Sequence, residues 1–206
     1  MVTSRCTHSA PTAGPPVDTV VVAGGRSSRL GGTPKAQLPV AGGTLLSRTV
    51  AAALPLGAVV VVGPEDPTLP PKVLSTREDP PFSGPAAAMA AGVVVLRELA
   101  GRAPWTAVLA CDMPGVERAL EQLRAAAGRA ASDVGGVMAL GEDGRRENLA
   151  VVVRTAALER VLSQVPTADA SVRSVWRHLR WDEVTVPAGS TADVDTWKDV
   201  RRLDSY

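Results

Sequence analysis

The chain has 206 residues, of which 45% are hydrophobic and 21% are charged, and its formal net charge at pH 7 is +1. This size and composition suit one soluble globular domain with a sizeable core. The near-neutral charge excludes a global attraction to nucleic acid or to anionic membranes, so any anion site must be local.

The first sixteen residues are polar and rich in proline and alanine, and they lack the apolar core of a signal peptide. We therefore predict a disordered tail over residues 1–16 and a single domain over residues 17–206. Two cysteines, Cys6 and Cys111, are too few for a disulfide framework, which favours a reducing cytoplasm. No apolar run has the length of a membrane span.

Short β-branched runs alternate with longer segments rich in alanine and leucine over the rest of the chain. Strands are predicted at Thr19–Ala23, Ala58–Val62, Lys72–Ser75, Ala107–Ala110, Val134–Ala139, Ala150–Val153 and Val184–Val186. Helices are predicted at Leu45–Ala53, Pro85–Leu99, Val116–Arg129, Thr155–Leu162 and Thr196–Leu203. This alternation predicts a three-layer α/β/α fold with a mostly parallel sheet, in which ligands bind at the carboxyl ends of the strands.

Residues 24–35, directly after the first predicted strand, hold four glycines, two arginines, one lysine and no acidic residue. Residues 19–64 also contain no Asp or Glu, although the chain-wide frequency of acids would give about five there. Glycines let backbone amides approach an anion closely, and Arg29 and Lys35 can reach its phosphates. We interpret the segment as a phosphate-binding loop; the alternative is a basic, solvated turn.

Two common phosphate-binding motifs are excluded at this loop. A Walker A loop needs Ser or Thr after its lysine, whereas Ala36 follows Lys35. A dinucleotide fingerprint needs G-x-G-x-x-G, and Gly24-Gly25-Arg26 breaks that spacing, which disfavours a Rossmann oxidoreductase.

Residues 23–31 read AGGRSSRLG and are followed by Lys35. This stretch resembles the A-G-G-x-S-x-R-M-G-x-x-x-K motif of the nucleotidyltransferase superfamily, and it is most similar to molybdenum cofactor guanylyltransferases. Leu30 replaces the usual methionine, and residues 38–46 continue the similarity. The resemblance implies a Rossmann-like nucleotidyltransferase fold, with residues 17–115 as the nucleotide-binding half and residues 116–206 as the acceptor-binding half.

Asp112 follows the predicted strand Ala107–Ala110 within the sequence LACDMP. One carboxylate at a strand end beside a phosphate loop is what Mg²⁺ bound to phosphates needs; the alternative is a capping or turn aspartate. The resemblance identifies Asp112 as the magnesium ligand. Residues 193–199, DVDTWKD, also resemble a family segment, in which Asp195 either completes the metal site or caps the helix predicted from Thr196.

The resemblance further implies roles for a larger set of residues. The catalytic residues would be Lys35, Arg29 and Asp112, and the metal ligands would be Asp112 and Asp195. The nucleotide-binding residues would be Val22, Ala23, Gly24, Gly25, Lys35, Gly63, Asp79, Gly84 and Asp112.

The implied reaction transfers GMP from GTP to the phosphate of molybdopterin and releases pyrophosphate, with Mg²⁺ as cofactor. A phosphate monoester acceptor is already anionic, so the reaction needs no strong general base. Molybdoenzymes or cofactor-insertion proteins are the implied partners. The alternatives are a relative that uses CTP or another phosphate-bearing acceptor, such as a sugar phosphate or phospholactate, and a weakly active regulatory protein that binds nucleotides.

The acceptor side departs from the family pattern. Glu147-Asn148-Leu149 stands where related enzymes often have Gln-Pro-Leu. Arg145 and Arg146, just before this triplet, either bind the phosphate of the acceptor or belong to a solvated turn.

Overall fold

The computed structural model describes residues 14–25, 34–40, 43–194 and 199. The predicted tail up to residue 13, the loop residue Arg29, the metal candidate Asp195 and most of the predicted helix Thr196–Leu203 lie outside the described residues. None of the described helices has the length and apolarity to cross a membrane.

The described residues form nine strands, five α-helices and one short 3-10 helix. The strands are β1 Val17–Val22, β2 Pro39–Val40, β3 Gly43–Thr44, β4 Val59–Val62, β5 Leu74–Thr76, β6 Trp105–Ala110, β7 Gly136–Leu140, β8 Arg146–Arg154 and β9 Trp181–Thr185. The helices are α1 Leu45–Ala53, α2 Pro85–Arg97, α3 Val116–Ala127, α4 Thr155–Leu162 and α5 Val172–Trp176, and the 3-10 helix is Lys35–Gln37.

Seven of these strands form one sheet in the order β5-β4-β1-β6-β8-β7-β9. The pairs β4–β5, β1–β4, β1–β6 and β7–β9 are parallel, and β8 runs antiparallel to both of its neighbours. The predicted mostly parallel sheet is confirmed. β2 and β3 form a separate two-stranded antiparallel ribbon.

Helices cover both faces of the sheet and give the predicted three layers. One face packs against α1 and α3, through residues such as Val50 and Leu120. The other face packs against α2, α4 and α5, through residues such as Met89, Leu158 and Val175. The central strands are buried on both sides, which explains their nearly continuous valine runs.

Parallel strands bring their carboxyl ends to the same edge of the sheet. The residues that follow β1, β4, β5 and β6 therefore meet there, although they come from distant parts of the sequence. One backbone hydrogen bond shows how closely the ends of β1 and β6 approach: the amide of Cys111 donates to the carbonyl of Val22 at 3.2 Å. This edge is where the candidate site residues lie.

Candidate functional site

Lys35 and Asp112 lie in direct contact although they are 77 residues apart in sequence. Lys35 begins the 3-10 helix that leads into β2, and Asp112 follows the end of β6. The Lys35 Nζ to Asp112 Oδ2 distance is 2.5 Å, and the two side chains are 19% and 20% exposed. The contact joins the end of the predicted phosphate loop to the predicted metal ligand.

Asp112 is anchored through its backbone and has one unused carboxylate oxygen. Its carbonyl accepts a hydrogen bond from the amide of Val194 at 3.1 Å. Its Oδ2 contacts Lys35, whereas its Oδ1 is buried and has no hydrogen-bond partner among the described residues. A buried carboxylate oxygen without a partner is energetically costly, and a bound cation would satisfy it.

The described part of the chain contains no group of three or more His, Cys, Asp or Glu side chains arranged to hold a metal ion. Through its unpartnered Oδ1, Asp112 can supply one carboxylate ligand to a cation whose other ligands come from substrate and water. Mg²⁺ is such a cation, because in proteins it is usually bound by one or two carboxylates together with substrate phosphates and water.

Next to this contact, at the ends of β1 and β5 and the start of α2, the surface has a cavity of about 210 Å³. It is lined by Val22, Gly24, Gly25, Glu78, Phe82, Gly84, Pro85 and Ala88. Four of these residues, Val22, Gly24, Gly25 and Gly84, are predicted nucleotide ligands. Gly25 also borders a smaller cavity, of about 30 Å³, that Ala23 and Lys35 line.

Glu78 is the acidic residue of this cavity, and the sequence analysis missed it. Glu78 as a whole residue is 6% exposed. Its Oε1 accepts a hydrogen bond from the Phe82 amide at 2.9 Å, and its buried Oε2 has no partner among the described residues. Asp79, the acid that the resemblance selects, is exposed and does not line the cavity. The signal available in the sequence was only that two acids stand side by side.

Two further glycines of the predicted set have different positions. Gly84 precedes α2 with φ = 90°, a conformation that favours glycine, and it lines the cavity. Gly63 is buried below the loop, where a Cβ atom would lie 3.0 Å from the backbone carbon of Ala23. A side chain at position 63 would press on the backbone of Ala23, so glycine here lets the ends of β1 and β4 lie close together.

Cys111 precedes Asp112 and is buried. Burial, with a smaller contribution from the Asp112 charge, raises the pKa of the Cys111 thiol to about 12. The thiol therefore stays protonated at neutral pH, so Cys111 is not an activated nucleophile.

Glu147, at the start of β8, lies within electrostatic range of Asp112. Burial raises the pKa of Glu147 above its ordinary value, the charges of Asp143 and Asp112 add to this, and a hydrogen bond with Thr191 opposes it. The antiparallel strand β8 thus brings its first residues to the edge of the sheet that holds Asp112.

A family model described as "MobA-like NTP transferase domain" matches residues 19–184. The molybdenum cofactor guanylyltransferase of Pseudomonas paraeruginosa is 34% identical over 121 residues, which cover 56% of this chain and 59% of the relative. The chain thus spans less than two thirds of the length of this curated relative.

Two solved structures have the same fold. Molybdopterin-guanine dinucleotide biosynthesis protein A from Archaeoglobus fulgidus superposes with a TM-score of 0.64 at 18% identity, covering 92% of this chain and 97% of that one. A Mycobacterium tuberculosis H37Rv protein solved in complex with manganese superposes with a TM-score of 0.61 at 20% identity, covering 91% and 97% of the two chains.

Proposed function

This chain belongs to the MobA-like NTP transferase domain family, and from this premise we propose that it transfers GMP from GTP to the phosphate of molybdopterin and releases pyrophosphate. The observation that carries the proposal is the Lys35–Asp112 contact beside a glycine-lined cavity that contains a buried carboxylate. The name of the Pseudomonas relative, molybdenum cofactor guanylyltransferase, supports the choice of GTP and molybdopterin.

In the proposed reaction an oxygen of the acceptor phosphate forms a bond to the α-phosphorus of GTP. The bond between the α-phosphorus and the oxygen that bridges to the β-phosphate breaks, and pyrophosphate leaves with that electron pair. Because the acceptor is already anionic, the protein only needs to position the reactants and neutralise charge. Neither step requires a residue to remove a proton.

Lys35 is the residue that we assign to charge neutralisation. Lys35 lies at the end of the loop and lines the smaller cavity. Gly25 lines both the smaller and the larger cavity, so the two cavities adjoin at Gly25. A triphosphate that runs from the larger cavity along Gly24 and Gly25 would bring its β- and γ-phosphates toward Lys35. We propose the same role for Arg29, which lies outside the described residues.

We propose that Asp112 holds Mg²⁺, with Asp195 as a second ligand. The unpartnered Oδ1 of Asp112 supports this assignment. When bound, the ion would neutralise phosphate charge at the reacting centre. Lys35 would keep Asp112 oriented through Oδ2 until phosphate oxygens compete for the ammonium.

We propose that Glu78 recognises the base. Guanine carries two adjacent donors, the N1 hydrogen and the 2-amino group, and a carboxylate can accept from both, as it does from arginine. Cytosine and adenine do not have this pair of adjacent donors. Two observations support this role: Oε2 of Glu78 is buried without a partner among the described residues, and the carboxylate faces Gly24, where a Cβ atom would contact Oε1 at 3.7 Å.

Replacing Glu78 with glutamine should lower kcat/KM for GTP by about 10- to 100-fold, because one charged acceptor becomes a donor that faces the donors of guanine. The selectivity for GTP over CTP should fall by a similar factor. Steady-state pyrophosphate release with each nucleotide measures both values. Asp79→Asn is the matched comparison: a larger loss in that variant than in Glu78→Gln would assign the base to Asp79 instead.

The remaining assignments follow the same proposal. Residues 17–115 would form the nucleotide-binding half and residues 116–206 the acceptor-binding half, and the protein would act in the cytoplasm, where molybdoenzymes or cofactor-insertion proteins receive the product.

The proposed function is tested by pyrophosphate release in the presence of Mg²⁺ and molybdopterin, with GTP and CTP compared in parallel. We expect release that depends on both GTP and molybdopterin. Faster release with CTP would indicate a cytidylyltransferase. Binding of GTP without release would indicate the regulatory alternative.

A further inference from the structure

A second cavity, of about 340 Å³, lies on the face of the sheet that α5 covers, beside β7, β8 and the edge strand β9. Its polar and aromatic lining consists of Arg146, Asn148, Arg173, Trp176, Arg177 and Trp181. We refer to it as the arginine–tryptophan pocket. Nothing in the proposed chemistry at Lys35 and Asp112 uses these residues.

The arginine–tryptophan pocket is strongly cationic. Three arginines line it, and no described acidic residue does. Arg146 pairs with Glu183 on β9 (Nε to Oε1, 2.6 Å), whereas Arg173 and Arg177 have no carboxylate within ion-pair distance among the described residues. Arg173 and Arg177 are four residues apart, one helical turn, so their charges repel each other. A bound anion would relieve that repulsion.

The two tryptophans give the pocket a fixed aromatic wall. The Trp176 and Trp181 rings pack edge to face, with centroids 5.2 Å apart. The Trp176 indole N–H donates to the Asn148 carbonyl and the Trp181 indole N–H donates to the Trp176 carbonyl, both at 2.9 Å. Trp176 is 3% exposed, so the partly exposed Trp181 ring that packs against it is the aromatic surface a ligand can contact.

An irregularity in β8 links this pocket to the Asp112 edge. On β7, Met138 pairs with Val151 and the next residue, Ala139, pairs with Glu147. Residues 148–150 of β8 therefore have no pairing partner on β7 and form a bulge. Such a bulge redirects side chains. Asn148 lines the pocket, and its neighbour Glu147 lies within electrostatic range of Asp112. The first residues of β8 therefore border both the pocket and the edge of the sheet that holds Asp112.

We propose that the arginine–tryptophan pocket binds the end of the acceptor that lies farthest from its reacting phosphate, and that this end is a planar heteroaromatic ring with an anionic group. The inference rests on the proposed function. In molybdopterin this end is the pterin with its dithiolene sulfurs. The arginines would pair with the negative sulfurs, the Trp181 indole would pack against the ring, and the Asn148 amide would hydrogen-bond to the edge of the ring.

The test is the binding of molybdopterin to the full chain, measured by calorimetry in the absence of turnover. Arg173→Gln/Arg177→Gln should weaken molybdopterin binding by about tenfold or more. The same variant should leave GTP binding within about twofold, since the glycine-lined cavity is formed by other elements. Arg97→Gln/Arg160→Gln, which removes two exposed arginines on α2 and α4, is the matched control and should bind both ligands as the wild type does. Thermal unfolding verifies that both double variants fold.

The outcomes separate this inference from the proposed function. Equal molybdopterin affinity in the wild type and in Arg173→Gln/Arg177→Gln, or no binding to the wild type, would overturn the pocket assignment. Selective weakening in that variant, in a protein that releases no pyrophosphate, would support the pocket and overturn the proposed function. Normal turnover with an unchanged KM for molybdopterin in the variant would leave the function standing and overturn the pocket.

Discussion

The Asp112→Asn variant is expected to lose magnesium-dependent pyrophosphate release by about 10²- to 10⁴-fold. Asparagine keeps the size of the side chain but removes the negative charge that a divalent cation needs, and it places an amide donor where one carboxylate oxygen lies. The hydrogen bond from the Val194 amide uses the backbone of residue 112, so it survives the change. We therefore expect a folded protein with a defective site.

The measurement is the initial rate of pyrophosphate release as a function of Mg²⁺ concentration. Asp182→Asn, which neutralises an exposed aspartate on β9, is the matched control and should retain the wild-type rate. A rate for Asp112→Asn within a few-fold of the wild type at the same Mg²⁺ concentration would remove the metal role of Asp112.

The Lys35→Met variant is expected to lower kcat/KM for GTP by about 10²- to 10³-fold. Methionine fills a similar volume without the charge, so the variant loses the cation that faces the β- and γ-phosphates. Asp112 keeps its carboxylate in this variant, and its Oδ2 becomes accessible to a metal ion. The residual activity of Lys35→Met should therefore remain dependent on Mg²⁺, unlike that of Asp112→Asn.

Lys72→Met is the matched control for this experiment, because Lys72 is exposed and lies between β4 and β5, away from the lining of the cavities around Lys35. Thermal unfolding of both variants separates a loss of folding from a loss of charge. A Lys35→Met protein that folds and turns over GTP as fast as Lys72→Met would remove Lys35 from the reaction.

The central strands were the most predictable part of the fold. β1, β4 and β6 are buried on both faces, so each appears in sequence as an apolar run, and their predicted ends fall within two residues of the observed ones. Because these strands are parallel, the convergence of the segments after β1 and β6 also followed from the sequence. The Lys35–Asp112 contact joins the segments that follow β1 and β6, as this convergence predicts.

The elements that the sequence predicted only in part, or not at all, carry weaker signals. β8 begins at Arg146, whereas the apolar run that predicted it begins at Ala150, because the first residues of the strand are polar and partly exposed. The helix α5, Val172–Trp176, has only five residues, which is too short for a helical period to be visible. Both elements line the arginine–tryptophan pocket, so this pocket was not predictable either.

The sequence could not show which of the adjacent acids Glu78 and Asp79 faces the cavity. The two acids are adjacent and chemically equivalent, and the resemblance selects Asp79. The side chain that turns inward is decided by local backbone geometry and by the hydrogen bond between Glu78 Oε1 and the Phe82 amide. A sequence motif records only residue types and their spacing, so it detects neither the backbone geometry nor this hydrogen bond.

The proposed reaction requires above all that Lys35 and Asp112 act on the same polyphosphate. A crystal structure of the wild-type protein with a non-hydrolysable GTP analogue and Mn²⁺ tests it directly. We expect the anomalous manganese signal within about 2.5 Å of an Asp112 carboxylate oxygen, and a β- or γ-phosphate oxygen within about 3.2 Å of Lys35 Nζ. A bound triphosphate whose phosphates lie out of reach of Lys35 Nζ, or manganese bound away from the Asp112 carboxylate, would contradict this claim.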